Sequence, residues 1–373
     1  MGKAAVMGRS GWIVTKRTLY GIWPFLIWTA KFMRYGIFRQ NLVDMGIGHA
    51  FLSAMKNEHV KFSFLNMDHN ISADVSGNLV YIYQKLNFLR LDSYIAFEIF
   101  ITVIGNLLLF FMIRNRKKQL DCLTFILLSV MILAVNIYAF CLSKEPLQLL
   151  FFIFMSYIIR KYAEHSFTCI FLLVLLIMLY SFLFRTYYML MIPFAGLSLL
   201  LYQFYAKNQK KFLLMLLFLT GAGILYATCL SAAGLVDKRI YEELIRVRIR
   251  MVPSNTRLVP LFSSNNLLTQ TMNYVSALVR LLFPLELIRL GFKYLIYVFV
   301  QLVITYFILH SFCKIKELGK EAQYSLTIVL AFILMSAVHE IEYGSWIRHE
   351  SVLLPVLLQI DSKKNCWQAL ITG

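Results

Sequence analysis

Three short polar stretches, each set between apolar ones, carry residue types that chemistry commonly uses. "SKEP" contains Lys144 and Glu145, "FRTYY" contains Arg185, and "YGSWIRHES" contains Arg348 and His349. The planar fork of arginine matches phosphate and carboxylate oxygens bidentately, so Arg185 and Arg348 are candidates for stabilising an anionic group as its charge develops. His349 and Glu145 are of the types that act as general bases. These four are the candidate catalytic residues.

Each stretch also has a purely structural interpretation. Glu350, beside His349, is a further candidate base, and residue type alone does not choose among the three. Lys144 and Glu145 can simply pair at a turn, which at a surface is worth about 0 to 1 kcal/mol. Arg185 can snorkel to the membrane surface, because an unsatisfied arginine at depth costs about 2.5 to 3.5 kcal/mol. The tryptophan and tyrosine of "YGSWIRHES" predict an interfacial aromatic belt, which would make that stretch an anchor.

A fourth polar region, residues 232–293, is rich in arginine although it is predicted to face outward. Its basic side chains, together with the hairpin lysine, form the candidate substrate-binding set: Lys144, Arg246, Arg248, Arg250, Arg257 and Arg280. The alternative is a solvated amphipathic helix whose arginines pair with nearby acidic residues. The stretch "YVSALVRLLFPLELIRLGFKY" in the same region is apolar but interrupted by charges and a proline, which predicts an interfacial or re-entrant helix.

The elements that must position these residues are transmembrane helices. Of the 373 residues 60% are hydrophobic and only 15% are charged, and the mean hydropathy is +0.68. Such values exclude an ordinary soluble domain and predict an all-α polytopic membrane protein forming one domain, 1–373. About ten transmembrane helices are predicted, at 12–33, 94–113, 120–141, 146–160, 166–184, 187–205, 212–231, 294–312, 322–341 and 351–360.

Basic clusters predict the topology. Lysine and arginine collect at every second connection, at 114–118, 160–165, 207–211, 313–320 and 361–364, as cytoplasmic loops require. Both termini are then expected in the cytoplasm, and the two large loops, 38–93 and 232–293, on the outer face with all the candidate residues. The net charge of +18 mostly reflects this topology, so nucleic acid is not an expected partner. The sequence shows no metal-ligand spacing or phosphate loop, so no metal or cofactor is expected.

A family resemblance follows from these motifs. The K-E-P hairpin, the "R-x-Y-Y" at the end of a span, the "LxRLLFP" segment and a final "S-W-x-R" resemble bacterial polysaccharide polymerases of the Wzy and EpsG type, which are similar to GT-C glycosyltransferases. The resemblance implies a multi-pass protein of the cell inner (plasma) membrane that extends O-antigen, capsule or exopolysaccharide chains. Its substrate would be an undecaprenyl-diphosphate-linked oligosaccharide on the outer leaflet. Membrane lipid, a chain-length regulator and a flippase are the implied partners.

Two other classes of function remain open from the sequence. An O-antigen ligase or another GT-C transferase would share the predicted arginines and differ in its product. The acidic residue that GT-C enzymes often carry in the first outer loop is not identified here, since Asp44, Asp68 and Asp74 fit no pattern. A polysaccharide or lipid transporter would carry ionisable residues in the middle of its spans. In this chain Glu98, His310, His339 and Glu340 lie near the span ends, which favours a transferase.

Overall fold

Helices dominate the fold. The computed structural model of the chain describes residues 13–37, 52–53, 55–56, 77–114, 119–207, 221–226, 256–262, 266–314, 317–340 and 342–360. The named helices in those ranges are α1 (Lys16–Phe32), α2 (Gly77–Leu86), α3 (Tyr94–Arg114), α4 (Cys122–Ala134), α5 (Glu145–Tyr162), α6 (Ser166–Leu183), α7 (Met191–Lys207), α8 (Leu267–Leu282), α9 (Lys293–Cys313), α10 (Lys320–His339), α11 (Tyr343–Ser351) and α12 (Leu354–Ile360).

Short helical turns of other types extend these helices. Two π-helical segments, Met33–Ile37 and Val135–Ala139, continue α1 and α4, and two 3₁₀ turns, Thr186–Leu190 and Leu285–Leu290, precede α7 and α9. The chain also has one feature that hydropathy does not predict. Strands β1 (Ile13–Thr15) and β2 (Gln119–Asp121) pair antiparallel, joining the starts of α1 and α4.

The prediction of an all-α membrane protein is confirmed at its coarser level. Five helices in the described ranges are long and apolar enough to cross a membrane, namely Tyr94–Arg114, Cys122–Ala139, Ser166–Leu183, Tyr294–Cys313 and Lys320–Val338. Other predicted ranges hold helices that are shorter or more polar, and the range 212–231 is described only at 221–226. The total of ten spans stays a prediction.

Two lysines at helix starts contact the ends of neighbouring helices. Lys16, at the start of α1, donates from Nζ to the carbonyl oxygens of Ile113 and Arg114 at 3.0 and 3.1 Å, at the end of α3. Lys320, at the start of α10, lies 3.3 Å from Glu164 in the connection after α5. The alternation of the basic clusters and their assignment to the cytoplasm stay predictions, since many residues of these clusters lie outside the described ranges.

A buried ionic group braces the ends of α1, α3 and α4. Glu98 on α3 lies 2.8 Å from Lys31 and 3.2 Å from Arg34. The same two cations also donate to main-chain carbonyls, Lys31 to Phe140 and Arg34 to Ile137. Because a π-helical segment leaves carbonyls unpaired at its end, these contacts stabilise the place where α4 stops.

A layer of amides ties the same helices together inside the bundle. Asn106 on α3 and Asn136 exchange hydrogen bonds of 2.8 and 3.1 Å, and Trp23 on α1 donates to Asn106 at 3.0 Å. Interhelical hydrogen bonds of this kind are worth about 0.6 to 2 kcal/mol in a membrane.

Close packing at one glycine fixes the hairpin after α4. Phe140, which is fully buried, lies against Gly105 on α3, where a Cβ would come within 2.3 Å of the phenylalanine ring. The hydroxyl of Tyr83 on α2 donates a hydrogen bond to the carbonyl of Ser143. The hairpin that carries Lys144 and Glu145 is thus held by α2 and α3.

The region 232–293 is described in part. Thr305, about midway along α9, donates to the carbonyl of Leu282 at 2.8 Å. The C-terminal end of α8 therefore lies beside the middle of α9. At the other end of α8, Asn266 caps the helix reciprocally with Thr269. The choice between an interfacial and a re-entrant helix stays a prediction.

The aromatic-belt interpretation of "YGSWIRHES" is wrong. This stretch is helix α11, with both Tyr343 and Trp346 buried inside the bundle. The indole Nε1 of Trp346 donates to Gln301 on α9 at 2.9 Å. Since that amide satisfies the indole N–H inside the protein, the side chain has no need of the interface. The helix also begins well before the predicted span 351–360.

Candidate functional site

Four separate parts of the chain bring ionisable side chains together at one end of the bundle. They come from the hairpin and first turn of α5, the segment after α6, the end of α10, and α11. We call the group the charged cluster: Lys144, Glu145, Arg185, Glu340, Arg348 and His349. Three cationic side chains against two carboxylates leave one net positive charge when the histidine is neutral. All four predicted catalytic residues belong to it, although their catalytic roles stay predictions.

Glu145 lies at the centre of the charged cluster and has no exposed surface. It is the first residue of α5 and is followed by Pro146, which favours a helix start because a first-turn residue needs no N–H partner. Burial alone would raise the pKa of Glu145. The Arg348 guanidinium, His349 and Lys144 outweigh burial and hold that pKa well below its usual range. The carboxylate is therefore ionised at neutral pH.

Two consecutive residues of α11 reach Glu145. The Nε atom of Arg348 lies 3.1 Å from the Oε1 atom of Glu145, and the Nε2 atom of His349 lies 3.4 Å from the same oxygen. The side chain of Arg348 is 21% exposed, so part of it faces the surface. The pair joins the start of α5 to the last helices of the chain.

Glu340 orients the histidine from its other side. The Nδ1 atom of His349 hydrogen-bonds to the Oε1 atom of Glu340, at the end of α10. Burial would raise the pKa of Glu340, but His349, Lys144 and Arg185 together lower it below its ordinary value. Glu340 thus acts as the anionic partner that fixes the ring. From the sequence, Glu340 was noted only as a charge near the end of a span. The feature that could have suggested its contact with His349 is its position nine residues earlier, on the same predicted outer face.

Arg185, in the segment after α6, is held by an aromatic side chain. Its guanidinium donates to the hydroxyl of Tyr187, and its Cζ atom lies 5.4 Å from the centroid of that ring. Both Glu145 and Glu340 are within electrostatic reach of it. Snorkelling is therefore not required to satisfy Arg185, because the protein itself supplies its partners.

Several polar atoms in and next to the charged cluster are buried with neither a hydrogen bond nor an ion pair. They are Oε2 of Glu145 and both side-chain amide atoms of Gln148. Gln148 lies on α5 three residues after Glu145, so the two share a helix face. Buried polar groups are nearly always hydrogen-bonded, and their concentration here marks a place where a ligand or water can bind.

The other five cationic candidates are not members of the charged cluster as the structure describes it. Arg280 is bound by Glu286, with both Nε and Nη2 donating at 3.1 and 2.6 Å, and the Tyr343 hydroxyl donates to the same glutamate. This group is separate from the charged cluster. Arg257 forms an isolated β-bridge with Glu342, just before α11. Arg246, Arg248 and Arg250 lie outside the described residues, as do Asp44, Asp68 and Asp74.

Glu350 faces away from the charged cluster toward α9. It is fully buried and accepts a hydrogen bond of 3.2 Å from Gln301, the amide that also binds Trp346. Burial raises the pKa of Glu350 to about 8. Its carboxyl group is therefore mostly protonated at neutral pH and does not act as a base there.

A cavity of about 430 Å³ lies apart from these residues. It is lined by Leu52, Met55, Lys56, Gln84, Asn87, Arg90, Leu91 and Asp92. None of them belongs to the charged cluster. Within the described ranges, no group of three His, Cys, Asp or Glu side chains is arranged to hold a metal ion.

Comparison with known proteins adds no assignment. No family model, no curated protein and no solved structure matches this chain.

Proposed function

We propose that the protein polymerises undecaprenyl-diphosphate-linked oligosaccharide repeat units at the outer face of the bacterial cytoplasmic membrane. The observation that carries the proposal is the convergence of Arg185, Arg348 and Lys144 on a buried Glu145–His349–Glu340 group at one end of an apolar helix bundle. Such a bundle end lies where a lipid-linked substrate presents its diphosphate.

The cations match the leaving group. In the transfer, an acceptor hydroxyl oxygen bonds to the anomeric carbon while the bond from that carbon to the phosphate oxygen breaks, and the lipid diphosphate leaves with the electron pair. Arg348, which is partly exposed, and Arg185 stabilise this charge as it develops. Fixed cations in a low-dielectric site are worth much more than in water.

His349 is the base in this scheme. Glu145 and Glu340 have lowered pKa values and are weak bases. The histidine has its Nδ1 held by Glu340 and its Nε2 without a hydrogen-bond partner. Nε2 accepts the proton of the acceptor hydroxyl, and Glu145, 3.4 Å away, then faces the protonated ring.

A second candidate, transport of a lipid-linked saccharide, is favoured by one observation. Glu350 is a carboxyl group inside the bundle with a pKa of about 8, where protonation changes near physiological pH. Ionisable residues of this kind mark proton-coupled pathways. If Glu350→Gln abolished glycan export and left the polymer ladder of the remaining product unchanged, transport would be the better assignment.

The test compares Arg348→Lys and Arg348→Ala in cells that make the glycan. Lysine keeps the charge but loses the bidentate fork. We expect single lipid-linked repeat units to accumulate at the expense of long chains in both variants, more strongly for alanine. A ligase would instead leave lipid-linked long chains that are not transferred onward. A normal ladder from Arg348→Ala at matched protein level would exclude this residue from the reaction.

A further inference from the structure

Gln148 is a buried amide that makes no hydrogen bond. It has no exposed surface, and neither its Oε1 nor its Nε2 atom has a partner. By contrast, Gln359 is also buried, but its Nε2 donates to the carbonyl and hydroxyl of Ser156 at 2.5 and 2.7 Å and its Oε1 accepts from Ser325 at 2.9 Å. An apolar residue of similar size would be the more stable choice at position 148, so stability does not explain the glutamine.

The surroundings of Gln148 point to a neutral polar ligand. Glu145, one turn earlier on the same face, pairs with Arg348 through Oε1, whereas its Oε2 has no partner. One turn later, Phe151 stacks on Tyr180 at 4.3 Å and meets Tyr188 at 5.7 Å. A carboxylate repels anions but accepts hydrogen bonds from hydroxyl groups, and a side-chain amide both donates and accepts hydrogen bonds. Above an aromatic layer, this combination fits the hydroxyl edge and the apolar face of a sugar ring.

We infer that Glu145 and Gln148 form a sugar-hydroxyl subsite for the acceptor, separate from the cations that bind the diphosphate. Glu145 accepts from one hydroxyl, Gln148 donates to and accepts from a neighbouring one, and the hydroxyl that reacts lies toward Nε2 of His349. The inference rests on the proposed function for naming the ligand a saccharide acceptor. In this inference Gln148 binds the acceptor by hydrogen bonds and takes no part in proton transfer.

The experiment measures saccharide binding by the whole protein in lipid nanodiscs. The probes are the methyl glycosides of glucose, galactose and N-acetylglucosamine, titrated by saturation-transfer difference NMR. We expect wild-type protein to bind at least one of them with millimolar affinity. Gln148→Met, which keeps the side-chain length, should weaken that binding by about tenfold or more, because it loses hydrogen bonds to the ligand. Its melting temperature should be unchanged or higher.

Gln359→Met is the matched control, since it removes a buried glutamine of equal size outside the charged cluster. It should lower the melting temperature and leave glycoside affinity unchanged. The inference fails if wild-type protein binds none of the glycosides, or if Gln148→Met binds them like wild type. A drop in melting temperature with unaltered affinity in Gln148→Met would assign the amide to a structural water instead.

The two proposals fail separately. Loss of glycoside binding in Gln148→Met together with a normal glycan ladder in Arg348→Ala would retain the sugar subsite and reject the part of the proposed function that rests on Arg348. A shortened ladder in Arg348→Ala with no glycoside binding by wild-type protein would retain the polymerase and reject the subsite.

Discussion

Arg348 on α11 and Glu145 on α5 form an ion pair, with 3.1 Å between Nε and Oε1, although they are about 200 residues apart in the chain. The carboxylate is fully buried and the guanidinium is partly exposed. The pair therefore has a structural role as well as the catalytic one that we propose, and the two roles can be separated by experiment.

Removal of Arg348 should destabilise the protein through the buried carboxylate that it leaves behind. Breaking a buried ion pair costs about 3 to 5 kcal/mol, and the partial exposure of Arg348 places the expected cost at the lower end. Arg348→Ala combined with Glu145→Gln should recover much of that loss, because no charge is then left unpaired. Melting temperatures of both single variants and the double variant form the cycle. Additive losses would show that the two side chains do not interact.

Acid should destabilise the charged cluster only at low pH. The folded-state pKa values of Glu145 and Glu340 are lowered, so their contribution is complete above their unfolded pKa of about 4.3 and is lost as pH falls through the folded values. Arg348→Ala removes the main cause of the lowering at Glu145, and its loss of stability should begin at a higher pH. Melting curves between pH 3 and pH 7 measure this. Parallel curves for the variant and wild type would contradict it.

Glu350 should give the opposite pH dependence. Its folded-state pKa is raised to about 8 by burial. Its contribution is therefore complete below the unfolded pKa of about 4.3 and is lost as pH rises through the folded value near 8. Glu350→Gln imitates the protonated form and can keep the contact with Gln301. The variant should lose this part of the decline in melting temperature between pH 5 and pH 8, whereas an unchanged decline would assign it to other groups.

A methyl group at Gly105 should disturb the hairpin that carries Glu145. The new Cβ would lie 2.3 Å from the ring of Phe140, and overpacking of this kind costs about 1 to 3 kcal/mol. Gly196→Ala on α7 is the control, since nothing lies within 4 Å of its Cβ position. We expect Gly105→Ala to lower both the melting temperature and the amount of long-chain glycan, and Gly196→Ala to be neutral or slightly stabilising. Equal effects of the two substitutions would argue against the packing explanation.

The topology can be tested independently of any chemistry. Residues 114–118, 207–211 and 313–320 are predicted to be cytoplasmic because lysine and arginine collect there. A phosphatase reporter fused at residue 209 should then be inactive, and one fused within 232–255 should be active. Activity from the fusion at 209 would overturn the shared outer face of the candidate residues.

Sequence reasoning found the members of the charged cluster better than their contacts. Arg185, Arg348, His349 and Glu145 could be chosen because a topology argument placed four unusual polar residues on one face. The partner of His349 could not, since Glu340 reaches it only through the break between α10 and α11.

The remaining differences have local causes in the tertiary structure. The sequence signal for an interfacial Trp346 was outweighed by one amide on α9, which satisfies the indole N–H inside the bundle. Arg280 pairs with Glu286 only six residues later, a contact that was not predicted, and its substrate-binding role stays a prediction. Neither contact has a hydropathy or charge pattern that distinguishes it in the sequence.

The residues of the charged cluster are far apart in the chain, so they are synthesised at different times. Glu145 and Arg185 enter the membrane with α5 to α7, whereas Glu340, Arg348 and His349 emerge only with α10 and α11. At about 5 to 20 residues per second, the ribosome leaves the early charges without their partners for on the order of ten seconds or more. A chain that stops before α11 retains a carboxylate without its arginine. Docking of α11 thus supplies the partners of charges that are synthesised long before it.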